Sequence, residues 1–480
     1  MKKETEKHAR PAYHFTPQAH WMNDPNGLVF HEGVYHLFYQ YHPYSAEWGP
    51  MHWGHASTTD LIHWQEHAVA LEPDDLGMIF SGSAVLDAHN TSGLSPAGQA
   101  PLVAVFTHSL PDSAEPCRAL QQQSLAYSVD AGLSWQKYAG NPVISNPGLK
   151  DFRDPKVFWH ATTARWVMSL AAGDRIAFCT SPNLKDWTLQ SEFGQEQGAH
   201  GGVWECPDLI SLMLDGQAYW VLIVSVVPGG PNGGSATQYF VGDFDGTHFT
   251  PHDTHTRWLD HGPDNYASVT WHNTGSRTVF IGWMSNWGYA KDLPTSPWRS
   301  AMTLPRELGL QRVGEQLHLS TRPAQEVVQR LPDLPSTVAS LSTDAPVPGE
   351  ALRQADGRFA IELNAPSLQD FTLTLSNDAG DTLHIGYDAA NRQYWIDRTQ
   401  AGLSDFHTDF AARHTAPRIT TTPEAQVSLF FDRSAVELFA DQGLTSMTSL
   451  HFPRQPWSQL RIQAAKAMHE GTLALRVFQP

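Results

Sequence analysis

The chain has 480 residues, which is more than one hydrophobic core usually serves, so its length indicates about two domains. A formal net charge of −18 without a run of Lys or Arg argues against nucleic acid and anionic membranes as partners, since both bind clustered basic residues. A neutral, hydroxyl-rich small molecule fits this charge better. No apolar stretch approaches the ~20 residues that span a bilayer, and the polar start MKKETEKHARPAYHF lacks the apolar core of a secretory signal, so the sequence predicts a cytoplasmic location.

The composition favours short strands over long helices. The chain contains 17 Trp, 13 Tyr, 36 Gly and 33 Pro, which are residues of strands and tight turns. We therefore expect an all-β protein.

Strand-turn-strand patterns recur along the first 320 residues, and three of them open on a carboxylate shortly before a proline. Their spacing of roughly 60 residues predicts a five-bladed β-propeller over residues 1–320, because each unit has room for about four strands and a parallel β-helix would need a much shorter repeat. In such a fold the first strand of each unit begins near a central channel, so the carboxylates would converge. The markers of the five units are Asp24, Ser81, Asp154, Glu205 and Asp264–Tyr266.

The pattern ends after Leu319. Residues 321–345 mix Pro, Ser and Thr around one short helical stretch, Ala324–Leu331, and are predicted to be a linker. Residues 346–480 return to alternation in nine short segments without carboxylate markers, which predicts an antiparallel β-sandwich without a catalytic constellation.

The three acids differ in their sequence surroundings. Asp24 follows the amide of Asn23 in a turn whose backbone N–H groups can hold it ionised as a nucleophile, although Asp-Pro-Asn-Gly is also common in surface turns. Asp154 follows Arg153, which would keep it ionised and able to stabilise positive charge on a sugar ring. Glu205 stands before a hydrophobic strand, where burial would keep it protonated as an acid. Paired carboxylates of this kind indicate glycoside hydrolysis.

The sequence gives little indication of a metal site or of disulfide bonds. The three cysteines, Cys117, Cys179 and Cys206, form no CxxC pattern, which indicates reduced thiols. His52 and His55 leave a metal site open, but hydrogen-bonded structural histidines are the simpler interpretation.

The motifs WMNDPNG, FRDPKV and WECPDL, in that order, resemble the three signature blocks of glycoside hydrolase family 32, the β-fructofuranosidases. The resemblance implies a five-bladed propeller with an appended β-sandwich, retaining hydrolysis of terminal fructosyl groups, and no metal or organic cofactor. It also implies that Asp24 is the nucleophile, Glu205 the general acid/base and Asp154 the transition-state stabiliser. The residues that resemble the lining of the family's fructose pocket are Asn23, Gln40, Trp48, Phe80, Ser81, Arg153 and Trp287.

The segment SNWGYAKDLPTSPWRSAMTLPREL resembles exo-acting fructanases and invertases more than sucrose-6-phosphate hydrolases. Pro263 stands where relatives often carry Lys or Arg, so the resemblance does not indicate which residues contact the sugar beyond the fructose. Sucrose, fructooligosaccharides, inulin and levan all remain candidate substrates. Fructosyl transfer and a non-catalytic carbohydrate-binding propeller are the alternative functions. A homo-oligomer also stays possible, because the edge strands of the sandwich do not indicate whether it packs on its own propeller or on a second copy.

Overall fold

The computed structural model describes residues 9–110, 121–331, 337–340, 344–347, 349–464 and 471–479. Strands dominate these residues. In the same ranges, helix is confined to α1 (Gln325–Val328), α2 (Glu350–Ala355) and two 3-10 turns, Ala290–Asp292 and Asp441–Gly443. None of the described helices is long and apolar enough to cross a membrane.

The strands before residue 324 follow one another in short antiparallel groups. In chain order they are β1 (His20–His31), β2 (Val34–His42), β3 (His52–Thr58), β4 (Gln65–Glu66), β5 (Met78–Leu86), β6 (Leu102–Ser109), β7 (Gln121–Ser128), β8 (Gln136–Lys137), β9 (Phe152–His160), β10 (Arg165–Ala172), β11 (Ile176–Ser181), β12 (Thr188–Phe193), β13 (Val203–Leu214), β14 (Gln217–Val227), β15 (Ala236–Phe244), β16 (Phe249–Pro251), β17 (Arg257–Trp258), β18 (Tyr266–Thr270), β19 (Val279–Met284), β20 (Trp298–Arg299), β21 (Ala301–Met302), β22 (Arg306–Val313) and β23 (Gln316–Pro323).

These strands form five sheets in the described part of the chain. The sheets contain β1–β4, β5–β8, β9–β12, β13–β17 and β18–β23, except that β20 pairs in parallel with β1 of the first sheet. The first strands contact one another in a closed sequence, β1 with β5, β5 with β9, β9 with β13, β13 with β18 and β18 with β1. The five units predicted from the repeat therefore correspond to five sheets whose first strands meet.

Each first strand carries a β-bulge at the marker predicted from the sequence. A bulge interrupts the alternation of side chains and redirects those beside it, which is how a strand can aim a polar residue at a site. Asp154 and Cys206 adopt the left-handed φ values of 65° and 47° that such irregular positions require. The register shifts lie between Met22 and Pro25 in β1, between Ile79 and Gly82 in β5, between Arg153 and Lys156 in β9, between Glu205 and Asp208 in β13, and between Tyr266 and Val269 in β18.

The strands after residue 336 form two six-stranded sheets within the described residues. One has the order β24-β35-β26-β31-β32-β33 and the other β25-β34-β27-β28-β29-β30, and apolar side chains from both sheets share one core. The strands are β24 (Thr337–Ser340), β25 (Asp344–Val347), β26 (Arg358–Ala365), β27 (Phe371–Ser376), β28 (Thr382–Asp388), β29 (Gln393–Gln400), β30 (Arg413–Pro417), β31 (Ala425–Asp432), β32 (Ala435–Ala440), β33 (Thr445–Leu450), β34 (Gln459–Ala464) and β35 (Thr472–Val477).

All nine strands predicted in this part are present, and three further strands were not predicted. The helix α1 lies inside the predicted helical stretch. However, β24 lies inside the predicted linker and pairs with β35, and β25 begins there. The sequence pattern missed β24, β25 and β30 because each is a short strand at the edge of its sheet.

A buried group of charges joins the N-terminal segment, the fifth sheet and the C-terminal sheets. His14 contacts Asp432 through Nδ1 at 2.9 Å and Glu437 through Nε2 at 2.8 Å. Arg306 donates to Glu437 at 2.5 Å and to Asp260 at 2.8 Å. Burial alone would lower the pKa of His14, but the hydrogen bonds to Asp432 and Glu437 outweigh it and raise that pKa to about 9. Each charge in the group therefore has an opposite partner, as buried charges require.

We expect His14→Ala to destabilise the protein by about 3–5 kcal/mol, because it removes the cation that pairs with the buried Asp432 and one of the two cations that pair with the buried Glu437. Urea unfolding at pH 6 measures the loss. The matched control is Arg353→Ala, whose partner Glu350 and own side chain are 68% and 56% exposed, and which should change stability by less than about 0.5 kcal/mol.

The contribution of His14 should also depend on pH. Its pKa is higher in the folded protein than the ordinary value of 6.5, so its stabilisation is complete below pH 6.5 and is lost as the pH rises through about 9. The difference in stability between the parent and His14→Ala should thus shrink between pH 6 and pH 10. An unchanged difference at pH 10 would contradict this assignment.

Candidate active site

One cavity of about 480 Å³ opens where the first strands meet, and all ten residues predicted for the site line it. Nine-tenths or more of Asp24 and Asp154 is buried, whereas Trp48 is 39% exposed. The ten are Asn23, Asp24, Gln40, Trp48, Phe80, Ser81, Arg153, Asp154, Glu205 and Trp287.

Asp24, in the bulge of β1, is held by hydrogen bonds to both carboxylate oxygens. Asn23 donates to Oδ1 at 3.1 Å and Ser81 donates to Oδ2 at 2.7 Å. The Cys206 thiol lies 3.6 Å from Oδ2. Burial and the charge of Glu205 raise the pKa of Asp24, while the hydrogen bonds from Ser81, Asn23 and Cys206 oppose that rise. The carboxylate of Asp24 is therefore fixed in orientation and largely shielded from solvent.

Asp154, in the bulge of β9, faces the same cavity. Its Oδ2 accepts a hydrogen bond from the backbone N–H of Cys206 at 3.0 Å, and the Cys206 thiol lies 3.5 Å away. Burial raises the pKa of Asp154 to about 7, with the charges of Glu205 and Asp24 adding to it and the charge of Arg153 opposing it. The charges of Glu205 and Asp24 thus add to the cost of ionising Asp154.

The surroundings of Glu205 differ from the prediction. Glu205 does not lie in an apolar pocket, because Arg153 donates to its Oε1 through Nη2 at 2.8 Å and through Nε at 3.1 Å. The phenol of Tyr266 donates a short hydrogen bond to Oε2. Both carboxylate oxygens therefore have a fixed donor.

The sequence analysis expected Arg153 to keep Asp154 ionised, and the charge of Arg153 does oppose the rise in the pKa of Asp154. The hydrogen bonds of its guanidinium nevertheless go to Glu205 and, at 2.6 Å, to Asp151, and none goes to Asp154. Both residues line the cavity, because the bulge of β9 interrupts the alternation of side chains between them. Arg153 links two sheets across the cavity.

The remaining predicted residues form the walls of the cavity. Asn23 accepts from the indole of Trp21 at 2.8 Å, and Gln40 donates to Asn26 at 2.7 Å. The rings of Trp48 and Phe80 meet edge to face at 6.3 Å, and Trp287 stacks on Trp21 at 6.0 Å. These contacts fix aromatic faces and amide groups around the acids, which suits a ligand with both C–H faces and hydroxyl groups.

Several contributors to the site were not predicted. Tyr266 and Cys206 stand within recognised motifs, so their positions gave a signal that was used for the fold alone. The unpredicted residues that line the cavity follow no repeat, and they approach it from the strand ends and loops of different sheets. They are Met78, Ser109, Leu110, Gln121, Lys150, Asp151 and Lys291.

The histidine pair has structural partners. His55 is hydrogen-bonded to His36 at 3.0 Å between ring nitrogens, and His52 to the carbonyl of Pro50 at 2.9 Å. No group of three or more His, Cys, Asp or Glu suited to a metal ion occurs among the residues that the structure describes. Cys179 and Cys206 are buried free thiols, and Cys117 lies outside the described residues.

We expect Ser81→Ala to lower kcat/KM by roughly 10- to 100-fold, since a hydrogen bond to a charged group contributes about 1.5–3 kcal/mol. Loss of the hydroxyl removes an interaction that lowers the pKa of Asp24, so the acid limb of the pH profile should move to higher pH. Initial rates between pH 4 and pH 8 measure both effects. A variant with the parent's rate and acid limb would show that this hydrogen bond does not support the reaction.

Carboxylates that converge among aromatic walls are the kind of arrangement that glycoside hydrolysis uses. The model for the N-terminal domain of glycosyl hydrolases family 32 matches residues 14–323, and the model for the family's C terminal matches residues 323–477. The chain belongs to this family and is a glycoside hydrolase.

Several relatives with named activities are similar in sequence to this chain over most of its length. A levanase of Bacillus subtilis is 47% identical over 471 residues, covering 95% of this chain and 68% of the relative. An extracellular exo-inulinase of Aspergillus niger is 43% identical, covering 92% and 89%. The crystal structure of exo-inulinase from Aspergillus awamori superposes with a TM-score of 0.90 at 37% identity and covers 98% of each chain. The β-fructofuranosidase of Schwanniomyces occidentalis complexed with fructosyl-erythritol superposes with a TM-score of 0.86 at 32% identity and covers 99% of each chain.

Proposed function

We propose that this protein releases terminal fructose from β-fructofuranosides by a retaining mechanism. The observation that carries the proposal is the convergence of Asp24, Asp154 and Glu205, from the first strands of three sheets, in one cavity with aromatic walls. Relatives named levanase, exo-inulinase and invertase support fructosides as the substrate class.

In the first step Asp24 attacks the anomeric C2 of the terminal fructose. The bond from C2 to the leaving oxygen breaks, and Glu205 delivers its proton to that oxygen. Asp154 stabilises the positive charge that develops on the ring. Asn23 and Ser81 hold the carboxylate of Asp24 in the direction of attack.

In the second step water attacks C2 and Glu205, now a base, takes its proton. The ester to Asp24 breaks, fructose leaves with its original configuration, and both acids return to their starting states. Because Arg153 and Tyr266 hold Glu205 from both sides, the same carboxyl group stays in place to serve as acid and then as base.

We also propose the finer architecture that the sequence predicted. The five sheets are the blades of a five-bladed β-propeller over residues 1–320, which the closed sequence of contacts between first strands supports. Residues 321–345 are the linker, although β24 within them pairs with the C-terminal sheet. The two sheets that share a core are a β-sandwich over residues 346–480.

The relatives favour fructan polymers and sucrose alike as substrates. Levanase and exo-inulinase are named after polymers, and the relative from Schwanniomyces occidentalis is named invertase. The cytoplasmic location stays a prediction, and the extracellular exo-inulinases among the relatives point instead to a polymer met outside the cell. We therefore propose an exo-acting enzyme that hydrolyses both sucrose and fructan polymers.

The test is fructose release from sucrose, 1-kestose, inulin and levan at equal enzyme concentration, with Asp24→Asn as the blank. Release of single fructose units from all four substrates supports an exo-acting enzyme. Early release of oligosaccharides from inulin or levan would contradict exo action. Release from none of the four above the blank would contradict hydrolysis itself and favour a carbohydrate-binding protein.

A further inference from the structure

A second buried charge group links the C-terminal sheets to the active site. Arg398, on β29, and Asp264, just before β18, are both fully buried and form an ion pair of 2.5 Å. The phenol of Tyr289 accepts from Arg398 Nη2 at 2.8 Å and donates to Asp264 Oδ1 at 2.5 Å. The backbone N–H of Leu450, on β33, donates to Asp264 Oδ2 at 2.8 Å. Asp264 is therefore fixed by three donors, two of which belong to the C-terminal part.

Asp264 stands two residues before Tyr266, whose phenol bonds Glu205. Between them Asn265 is also fixed, because its amide donates to Asp260 at 3.3 Å and its oxygen accepts from Ser268 at 2.6 Å. Tyr266 itself is fully buried. The segment thus has little freedom, and part of what fixes its position lies outside the first 320 residues.

Tyr289 connects the same ion pair to the segment that contains Trp287, which lines the cavity. It follows Trp287, and its N–H donates to the carbonyl of Asn286 at 3.1 Å. The amide of Asn286 donates to the carbonyl of Pro263 at 2.8 Å, so the turn before Tyr289 is bonded to the segment that contains Asp264. One ion pair therefore organises two segments that reach the site.

We infer that Arg398 is a positioning residue for the proposed acid/base Glu205, acting through Asp264 and Tyr266. The inference rests on the proposed function, and it gives the C-terminal sheets a part in catalysis although none of their described residues lines the cavity. Without Arg398 the buried carboxylate of Asp264 loses its cation and the start of β18 shifts. The phenol of Tyr266 then no longer holds Glu205 where the leaving oxygen arrives.

The test compares Arg398→Met, Tyr266→Phe and the double variant in sucrose hydrolysis. We expect Arg398→Met to lower kcat by roughly 10- to 100-fold, because small displacements of a catalytic group are costly. KM should change less than kcat, since Trp287 is also held by packing on Trp21 and Trp283, which the substitution leaves in place. If Arg398 acts through Tyr266, the double variant should have the kcat of Tyr266→Phe alone.

The matched control is Arg418→Met. Arg418 forms a buried pair with Asp441 at 2.9 Å in the C-terminal part, and neither Asp441 nor Glu424, to which it also donates, lines the cavity. The Arg418→Met variant should have lower thermal stability than the parent and the same kcat. Equal kcat losses in both variants, a parent-like kcat for Arg398→Met, or multiplied losses in the double variant would each overturn the inference.

A milder variant covers the case in which Arg398→Met does not fold. Tyr289→Phe removes one donor to Asp264 and keeps the ring, and we expect kcat to fall roughly fivefold. An unchanged kcat would overturn the inference. A parent enzyme without any fructose release would refute the proposed function instead, so the two failures are distinguishable.

Discussion

Replacing Asp24 by asparagine should abolish fructose release, with a fall in kcat on the order of 10⁴-fold or more, as for other residues that form the covalent bond. The amide is similar in size and can keep the hydrogen bond from Ser81, so the cavity should retain its shape. It cannot form the ester with C2, and the first step has no other nucleophile. Initial rates on sucrose, with circular dichroism to verify folding, measure the effect.

Asp87→Asn is the matched control. Asp87 is fully buried and accepts hydrogen bonds from the backbone of Thr91 and Ser92, but it does not line the cavity. Its replacement should lower stability and leave kcat close to that of the parent. An Asp24→Asn enzyme with a rate within a few-fold of the parent would exclude Asp24 as the nucleophile.

Replacing Glu205 by glutamine should lower kcat for sucrose by roughly 10²- to 10⁴-fold, the usual contribution of a positioned proton donor. The loss should depend on the leaving group. A fructoside with a nitrophenolate leaving group needs no proton, so its first step should be nearly as fast as in the parent, while release of the ester stays slow. A burst of nitrophenol followed by a slow steady rate is the expected time course.

Equal losses on sucrose and on the nitrophenyl substrate, without a burst, would contradict the role of Glu205 as acid. They would indicate instead that glutamine disturbs the cavity, for example through Arg153, which bonds Glu205 in the parent. Arg153 also bonds Asp151, so part of its position is independent of Glu205.

The sequence predicted the parts of this protein that depend on local patterns. Asp24, Asp154 and Glu205 were found because each stands at the same point of a repeated unit, and the bulges of β1, β9 and β13 lie at those points. Nine of the twelve strands described after residue 336 were found because alternation of apolar and polar residues is a strong signal.

The sequence could not predict contacts that depend on packing between distant segments. Arg153 was expected to keep its neighbour Asp154 ionised, whereas its guanidinium is hydrogen-bonded to Glu205 on another sheet. The partner of Asp264, Arg398, is 134 residues away on the C-terminal sheets. Such pairs are set by how sheets meet in space, and neither spacing nor composition records them.

The most direct test of the account is capture of the covalent intermediate. Glu205→Gln is incubated with the nitrophenyl fructoside, quenched in acid during the burst and digested, and the peptides are examined by mass spectrometry. The account predicts a fructosyl ester on the peptide that contains Asp24, at the side chain of Asp24. Release of nitrophenol with no adduct on Asp24, or with the adduct on another residue, would contradict it.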